Sequence, residues 1–379
     1  MALKWKADLK SRPDDMVNSV AISDDAGRLV AGTYYHNYSR VPGPSPVGTY
    51  RVSCFDANGG LVWMDSYASC FEGVYSVAIS GDGKVAAAGG WLANDLGPKA
   101  DQGLLCAYDA ALGTRLLDYR QIPDRVSSVA LSADGSVLAA AADKLYVFWR
   151  AGQSFSTRPA AIPLDPKEPM TGVAVHPSGA WLVACDLAGH VCLAELGNQA
   201  IAATHTWTAP QTTHFHAVAI SRDAESFAAG GSKAVYYFTK NSMMANPPAP
   251  LTKPFKAKGS VRWVSISGDG ARIAAVANDG QKGLLMAFSN STGKLKLAWQ
   301  KGLRYKPNGV SMDAAVTYIA AADGYDSDQV GGTFYLYDSN GHQRWQEKTT
   351  KMNWPAVISA NGAGVAGGSD DGFLYAFQP

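Results

Sequence analysis

The sequence predicts an all-β fold, an eight-bladed β-propeller of four-stranded antiparallel blades, from three observations. A five-residue apolar phrase returns eight times along the chain. From the third copy onward, the spacing between successive copies is nearly constant. Each copy is followed by short segments that alternate apolar and polar residues with the period of a strand. Apolar residues at helical spacing are absent, so no helix is predicted.

The repeated phrase marks the innermost strand of each blade. Its central residues are separated by 57, 52, 44, 45, 46, 46 and 46 positions. A repeat length this constant is typical of a stacked structural unit, whereas two packed β-sandwiches, the alternative fold, do not require it. The central residues are Ala21, Ala78, Ala130, Ala174, Ala219, Ser265, Ser311 and Val357.

Each copy of the phrase introduces three further predicted strands. A turn such as Gly81-Asp82-Gly83 comes first, because glycine readily adopts positive φ. The second strand is rich in alanine, since converging blades leave little room for side chains near the axis, and the third carries aromatic residues. This order is typical of a propeller blade. The fourth, more polar strand carries Trp63, Trp207, Trp299 or Trp345.

The N-terminus is predicted to close the ring. The last unit ends at Pro379, directly after its third strand, and Leu3–Ala7 has the pattern of a fourth strand. Placing residues 1–10 in the last blade pairs the two termini and removes a free sheet edge. The prediction is therefore a single β-propeller domain that spans residues 1–379.

Three segments, Phe55–Trp63, Ala107–Thr114 and Tyr337–Trp345, resemble the tryptophan-docking repeat of quinoprotein-like propellers. The resemblance implies that Asp and Gly shape the turn between the third and fourth strands, and that Trp wedges against the neighbouring blade. Blades three to five lack the full motif, and Leu117 stands near the position of one Trp. The strand order is also similar to that of WD40 repeats. Both resemblances imply a fold, and neither fixes a function.

Composition limits the classes of partner. The chain has 33 Lys and Arg against 32 Asp and Glu, so no overall field attracts nucleic acid or an anionic membrane. No apolar run reaches the length of about 18 residues that a membrane span needs, and neither membrane insertion nor a signal peptide is expected. The cysteines are odd in number, without a Cys-x-x-Cys pair, which predicts free thiols in the cytoplasm, or in the periplasm if a leader has been removed. They are Cys54, Cys70, Cys106, Cys185 and Cys192.

The residue before each repeated phrase is expected to ring the mouth of the central channel. Most of these residues are polar or amphipathic, although the strands that follow are apolar. Solvent exposure at a strand end and a ligand or partner site both explain this pattern. The mouth residues are Asn18, Tyr75, Ser127, Thr171, His216, Arg262, Asn308 and Trp354.

Three enlarged loops are expected on the same face as the mouth, which we call the mouth face. They follow the second strand of units one, two and seven, which neighbour one another in a closed ring that includes unit eight. Aromatic residues with arginine are typical of recognition surfaces, although such loops also pack on each other. The predicted partner-binding residues are Tyr34, Tyr35, Tyr38, Arg40, Trp91 and Tyr325.

Metal sites are alternative hypotheses, and the prediction is no metal and no cofactor. His214 and His216 share one strand face near His190 and Asp186, which suits a transition metal, whereas strand-end histidines commonly bind neighbouring backbone. Asp323, Asp326 and Asp328 offer oxygen ligands for calcium without the EF-hand spacing. A basic run is interpreted as a solvated edge that resists aggregation. It comprises Lys294, Lys296, Lys301, Arg304 and Lys306.

No catalytic motif is found: the sequence has no Gly-x-Ser-x-Gly elbow, phosphate-binding loop or His-Glu-x-x-His helix. The favoured hypothesis is a non-catalytic platform that binds a protein partner through the aromatic loops, within a larger assembly. The alternative is a quinoprotein-like or other small-molecule-binding enzyme that uses the channel mouth, with Tyr75, His216 and Arg262 as contacts.

Overall fold

The computed structural model describes residues 3–35, 48–70, 72–92, 103–165, 167–210, 213–280, 282–291, 294–325 and 331–379. The strands in these ranges form eight antiparallel units around a ring, seven with four strands and the third with five. The predicted all-β propeller is therefore confirmed.

The N-terminal strand β1 (Leu3–Asp8) precedes blade 1 in the chain. Blade 1 contains β2 (Met16–Ile22), β3 (Arg28–Tyr34), β4 (Gly48–Asp56) and β5 (Leu61–Cys70). Blade 2 contains β6 (Gly73–Ile79), β7 (Val85–Trp91), β8 (Gly103–Asp109) and β9 (Arg115–Tyr119). Blade 3 contains β10 (Ser128–Leu131), β11 (Val137–Ala141) and β12 (Leu145–Ala151), with β13 (Ser154–Phe155) and β14 (Ala160–Ile162) both paired to β12.

Blade 4 contains β15 (Met170–Val175), β16 (Trp181–Asp186), β17 (His190–Gly197) and β18 (Ala200–Thr208). Blade 5 contains β19 (Ala217–Ile220), β20 (Ser226–Gly231), β21 (Ala234–Thr239), the helix α1 (Lys240–Met244) and β22 (Phe255–Lys256). Blade 6 contains β23 (Ser260–Ile266), β24 (Arg272–Asn278), β25 (Gly283–Ser291) and β26 (Lys294–Leu303). Blade 7 contains β27 (Lys306–Met312), β28 (Tyr318–Gly324), β29 (Thr333–Asp338) and β30 (Gln343–Lys348). Blade 8 contains β31 (Asn353–Ile358), β32 (Val365–Ser369) and β33 (Phe373–Phe377).

The N-terminal strand completes blade 8, as predicted. β1 pairs antiparallel with β33, from Leu3 opposite Phe377 to Asp8 opposite Phe373. The inner strands β31 and β2 are also in contact, so blade 8 packs on blade 1. The first and last segments of the chain therefore lie in one sheet, and the ring has no open seam.

The second strand of each blade is buried because it lies between two neighbouring blades. Every residue of β11 is buried, and so is every residue of β20. A Cβ at Gly32 would overlap the side chain of Val74, and a Cβ at Gly89 would overlap that of Val126. The small residues are therefore required by the close approach of adjacent blades.

The short helix α1 was not predicted. Thr239 precedes it and accepts a hydrogen bond from the backbone N–H of Ser242, while the Ser242 hydroxyl bonds back to the Thr239 backbone. This reciprocal capping box stabilises one turn of helix without any apolar periodicity. The helix lies between the third and fourth strands of blade 5, whose fourth strand has only two residues.

Three tryptophans dock on the neighbouring blade. Trp5, Trp63 and Trp299 donate their indole N–H groups to the carbonyls of Ala57, Ala110 and Ser339, at 3.2, 3.0 and 3.0 Å. Each ring covers a glycine with positive φ in the turn between the third and fourth strands of the next blade. A side chain on that glycine would collide with the indole, so the turn and the Trp fit each other.

Trp345 is in the corresponding position in blade 7, but its buried indole N–H has no acceptor in the described part of the chain. Its ring packs on Phe377, with ring centroids 4.9 Å apart. The Trp345 indole lacks an acceptor because of the way in which the ring closes. Blade 8 takes its fourth strand from the N-terminus, and so it has no turn between third and fourth strands to supply a carbonyl.

Hydrogen bonds join every blade to the next on the face opposite the mouth, which we call the turn face. The turn after each inner strand donates to or accepts from its neighbour. Seven of the eight links join backbone atoms over 2.9 to 3.1 Å. They are Asp24 N to Gly81 O, Asp82 N to Ala133 O, Ala133 N to Pro177 O, Arg222 N to Gly268 O, Gly268 N to Ala314 O, Ala314 N to Ala360 O and Asn361 N to Asp24 O.

The eighth link, between blades 4 and 5, uses a side chain. Pro177 occupies the donor position and has no N–H. His176 substitutes for it: its Nε2 lies 2.7 Å from the carbonyl oxygen of Arg222. The Nδ1 atom accepts from the backbone N–H of Ser178 at 3.2 Å, which leaves the proton on Nε2 as the donor. The ring of links is thereby complete.

We expect His176→Ala to lower the free energy of unfolding by about 1 kcal/mol, because it leaves the Arg222 carbonyl without its donor. Pro177→Ala restores a backbone N–H, so the double variant should recover part of this loss. The measurement is a double-mutant cycle on chemical unfolding, with His342→Ala on the exposed surface as control. A His176→Ala protein as stable as the wild type would contradict a stabilising role for this link.

Candidate functional site

The mouth residues lie at β-bulges at the start of the inner strands. The pairing register skips Asn18, Tyr75, Thr171, Arg262 and Asn308. In blades 3 and 5 the equivalent residues lie just before the strand, where Ser127 N and His216 N donate to Ala141 O and Gly230 O. A bulged residue is unpaired on its strand, and bulges commonly redirect a side chain at a site.

Blade 8 differs from this pattern. Trp354 pairs with Gly368, and the residue that the register skips is Pro355. Proline cannot donate to the ladder, so the bulge moves by one position. The indole N–H of Trp354 donates to the Asp370 carboxylate at 2.6 Å, which holds the ring at the mouth.

Several mouth side chains link one blade to the next. The Thr171 hydroxyl donates to Phe215 O at 2.9 Å, and the Asn308 amide donates to Asn353 O at 2.9 Å. The Asn18 side-chain oxygen is buried and accepts no hydrogen bond from the described residues. The polar character of the mouth therefore has a structural cause in at least two blades.

His216 and Arg262 lie close together in adjacent blades. Burial lowers the pKa of His216 to about 4, and the positive charges of Arg262 and His214 add to this shift. The imidazole is therefore neutral at pH 7, next to an exposed guanidinium. Such a pair offers one neutral and one cationic hydrogen-bonding group at the channel mouth.

We expect acid to destabilise the protein in part through His216. The unfolded chain binds a proton at this residue below about pH 6.5, whereas the folded chain does so only near pH 4. The free energy of unfolding should therefore fall as the pH decreases between these values. His216→Gln should reduce that slope, measured by chemical unfolding at several pH values, and the exposed His342→Gln should not. Equal slopes for His216→Gln and wild type would contradict the low pKa.

The aromatic loops begin where predicted. The longest connections between second and third strands are residues 35–47, 92–102 and 325–332, in blades 1, 2 and 7. Tyr35 and Tyr325 are half-buried at the start of their connections, and Trp91 is half-buried at the end of β7, directly before the connection of blade 2. Tyr38 and Arg40 lie outside the described residues.

Tyr34 is not an exposed contact, which corrects the prediction for this residue. It is only 4% exposed, and its ring meets that of Tyr75 edge-on at 5.3 Å. It also pairs with Gly73, so β3 and β6 join blades 1 and 2 into one sheet. Because Tyr34 directly precedes the loop, the sequence could not show whether it belongs to the strand end or to the loop.

Two arginines that the sequence did not single out, Arg12 and Arg125, contact the tyrosine rings of blades 1 and 2. The Arg12 guanidinium lies 5.3 Å from the Tyr35 ring centroid and 5.4 Å from that of Tyr50. Arg125 lies 4.2 Å from the Tyr75 ring and 3.7 Å from the Glu72 carboxylate. Both arginines occur in connections between blades, where no repeat pattern distinguishes them. Cation–π contacts of this kind fix aromatic rings in place.

The weak metal candidates have other partners. His190 Nδ1 lies 2.7 Å from the buried Asp186 carboxylate, and His214 Nδ1 donates to Leu187 O at 2.6 Å. The Asp323 carboxylate accepts bonds from Tyr305 N, Thr333 N and the Tyr335 hydroxyl. Burial raises the pKa of Asp323.

Asp326 and Asp328 lie outside the described residues. Among the residues that are described, no three His, Cys, Asp or Glu side chains gather as a metal site would need.

A cleft of about 460 Å³ opens on the mouth face near blades 3 to 5. Its walls carry both acidic and basic side chains, so it has no single charge preference. The lining residues are Asp165, Lys167, Glu168, Leu187, Ala188, Ala209, Pro210 and His214.

Comparisons with known proteins identify the fold. No family model matches the chain, and no curated protein matches it. Sqt1 from Chaetomium thermophilum, in its structure with the N-terminus of ribosomal protein L10, is 14% identical with a TM-score of 0.69, and the match covers 97% of each chain. The β-propeller domain of Cps50 (Swd1) from Myceliophteria thermophila is 14% identical with a TM-score of 0.59, over 81% of this chain and 96% of that domain.

No helix in the described ranges is long and apolar enough to span a membrane. The single helix in those ranges, α1, has five residues. At this level of identity the structural likeness shows the fold alone. Together with the strand pairing, it shows that the chain has a β-propeller fold similar to the folds of Sqt1 and the Swd1 domain.

Proposed function

We propose that the chain is a non-catalytic platform that binds a protein partner, within a larger assembly, through the aromatic loops of its mouth face. One observation carries the proposal: Tyr35 and Tyr325 begin, and Trp91 directly precedes, the three longest connections between second and third strands, all on the mouth face, and all three rings are half-buried. Sqt1, which has a similar fold, is known in complex with the N-terminus of a ribosomal protein. That complex is a precedent for a protein partner.

The contacts beneath these rings support a recognition role. Arg12 lies against Tyr35, and the Lys306 ammonium lies 5.5 Å from the Tyr325 ring. An aromatic ring that is already held in place loses little conformational freedom when it binds. The cations beside the rings also suit backbone carbonyl and carboxylate groups of a protein partner.

We also propose that the platform is one domain, residues 1–379, and that it works in the cytoplasm. In the described ranges Cys54, Cys106, Cys185 and Cys192 are free and buried. Burial raises the pKa of Cys54 and of Cys185 to about 12, so these thiols are unreactive. Unpaired, inert thiols suit a reducing compartment.

The second candidate is an enzyme or small-molecule binder, quinoprotein-like or otherwise, that uses the channel mouth. The neutral His216 beside Arg262 and the cleft near blade 4 favour it. Quinoproteins bind a quinone cofactor, so adding that cofactor together with calcium to the purified protein distinguishes the two candidates. The platform should keep its absorbance and melting curve, whereas saturable binding with dye-linked oxidation of an alcohol or sugar would support the enzyme.

Copurification tests the platform directly. The tagged chain is recovered from extracts of its native host, and bound proteins are identified by mass spectrometry. We expect a protein that co-elutes in constant ratio, is retained after a second purification step, and binds the purified chain when produced separately. If the chain instead elutes alone with a bound chromophore or metal, the platform is the wrong function.

A further inference from the structure

Charge is unevenly distributed around the ring, although the chain as a whole is nearly neutral. Residues 233–306 contain 13 of the 33 Lys and Arg residues but only 2 of the 32 Asp and Glu residues. The rest of the chain therefore has 20 basic and 30 acidic residues. The basic stretch forms the outer half of blade 5, all of blade 6 and the connection into blade 7.

Six basic residues of this stretch are exposed at the mouth-face end of blades 5 and 6. We call them the basic rim. They lie in strand connections and at strand ends on the face that carries the mouth. The basic rim consists of Lys233, Lys256, Lys258, Arg262, Lys282 and Arg304.

Backbone contacts show that the rim is continuous. Ala257 N donates to Lys233 O at 2.8 Å, so the connection that carries Lys258 lies against the Lys233 loop. Ser260 pairs with Asn278, which brings the same connection to the loop that ends at Lys282. Gly283 pairs with Leu303, next to Arg304. The six cations therefore follow one arc across two adjacent blades.

The rim cations have no acidic partners in the described part of the chain, where none of the six forms an ion pair within 4.0 Å. Some exposed arginines elsewhere are paired, such as Arg115 with Asp65 at 2.8 Å and Arg222 with Asp24 at 2.5 Å. Asp279 is the one described acidic residue within the arc. Uncompensated like charges repel each other, and an anionic ligand relieves that repulsion.

We propose that the basic rim binds an acidic segment of a partner protein. A nucleic acid is less suitable, because it would extend beyond the arc over a remainder of the chain with ten more acidic than basic residues. A short run of Asp and Glu side chains fits the arc alone. This surface is distinct from the aromatic loops of blades 1, 2 and 7, so the inference goes beyond the proposed function.

The test compares two triple variants that lose the same charge. Lys233→Gln, Lys258→Gln and Lys282→Gln together remove half of the rim. Lys294→Gln, Lys296→Gln and Lys301→Gln remove three exposed lysines from β26, the outer strand of blade 6. The probe is a fluorescein-labelled peptide of ten glutamates, and binding is followed by fluorescence anisotropy at low and physiological salt.

We expect the rim variant to bind the peptide about tenfold more weakly than the wild type, and the β26 variant to change by less than about twofold. Equal weakening by both variants, or no peptide binding by the wild type, would overturn the proposal. Tighter binding of a ten-nucleotide single strand than of the peptide would overturn it in favour of a nucleic acid. The triple variant Tyr35→Ala, Trp91→Ala, Tyr325→Ala should bind the peptide as the wild type does. A failure of the proposed aromatic site can therefore be distinguished from a failure of the basic rim.

Discussion

Removal of residues 1–9 is expected to lower the free energy of unfolding by about 3 kcal/mol or more. The deletion exposes the whole hydrogen-bonding edge of β33, from Phe373 to Phe377. It also removes the Trp5 ring from the turn at Gly59 and the buried side chain of Leu9 from the core. The losses coincide at the one blade that joins the two ends of the chain, so the neighbouring blades lose a packing surface as well.

Thermal and chemical unfolding of the truncated protein measure this effect. A synthetic peptide of residues 1–10, added in excess, should raise the melting temperature again, because it can pair with the exposed edge. A peptide with Trp5 replaced by Ala should be less effective, which separates the wedge from the strand pairing. If the truncated protein melts at the wild-type temperature, closure by β1 does not stabilise the ring.

Replacement of Tyr35, Trp91 and Tyr325 by Ala is expected to weaken partner binding by about 2 to 6 kcal/mol, because truncating an aromatic anchor commonly costs about 1 to 2 kcal/mol or more. The three rings belong to blades 7, 1 and 2, with blade 8 between the first two, and we expect one partner to contact all three. Stability should change less than binding, since each ring is only half-buried. Tyr35 packs partly on the core of blades 1 and 2 and should account for most of any change in melting temperature.

The matched control removes three exposed apolar side chains from another surface. Leu61, Met64 and Leu112 are 56%, 46% and 73% exposed, on β5 and on the turn-face end of blade 2. Their replacement by Ala should leave partner recovery unchanged in a pull-down. Full recovery by the folded aromatic variant would move the binding surface elsewhere. A large drop in its melting temperature would show that these rings serve the core.

The fold was predictable because the repeat encodes it several times over. The apolar phrase, the glycine turn and the alanine strand recur with the same spacing, so each blade supports the interpretation of the others. The closure by β1 followed from the same count. The helix α1 was missed because it depends on two hydroxyl groups, at Thr239 and Ser242, and not on a periodic pattern.

For the candidate site, the sequence predicted where the residues lie along the strands but not the contacts that their side chains make. The sequence located the mouth residues because they precede the repeated phrase, and the bulges explain why they stand out. It could not distinguish the buried Tyr34 from the half-buried Tyr35, because neighbouring residues in a strand end face opposite sides. Arg12 and Arg125 depend on contacts between segments far apart in the chain, which no local pattern reports.

The hydrogen-bonded ring on the turn face also bears on how far such a sequence can diverge. Seven of its eight links use main-chain atoms, which every residue except proline supplies in full. The backbone links place no demand on side chains, although the same turns also use side-chain bonds, such as Ser80 to Asp82, and glycines with positive φ, such as Gly83. Proline is the exception, because it deletes a donor, and at Pro177 the adjacent His176 compensates. At the link positions themselves, tolerance should therefore be limited by proline, whereas the loops of the mouth face remain open to selection for new partners.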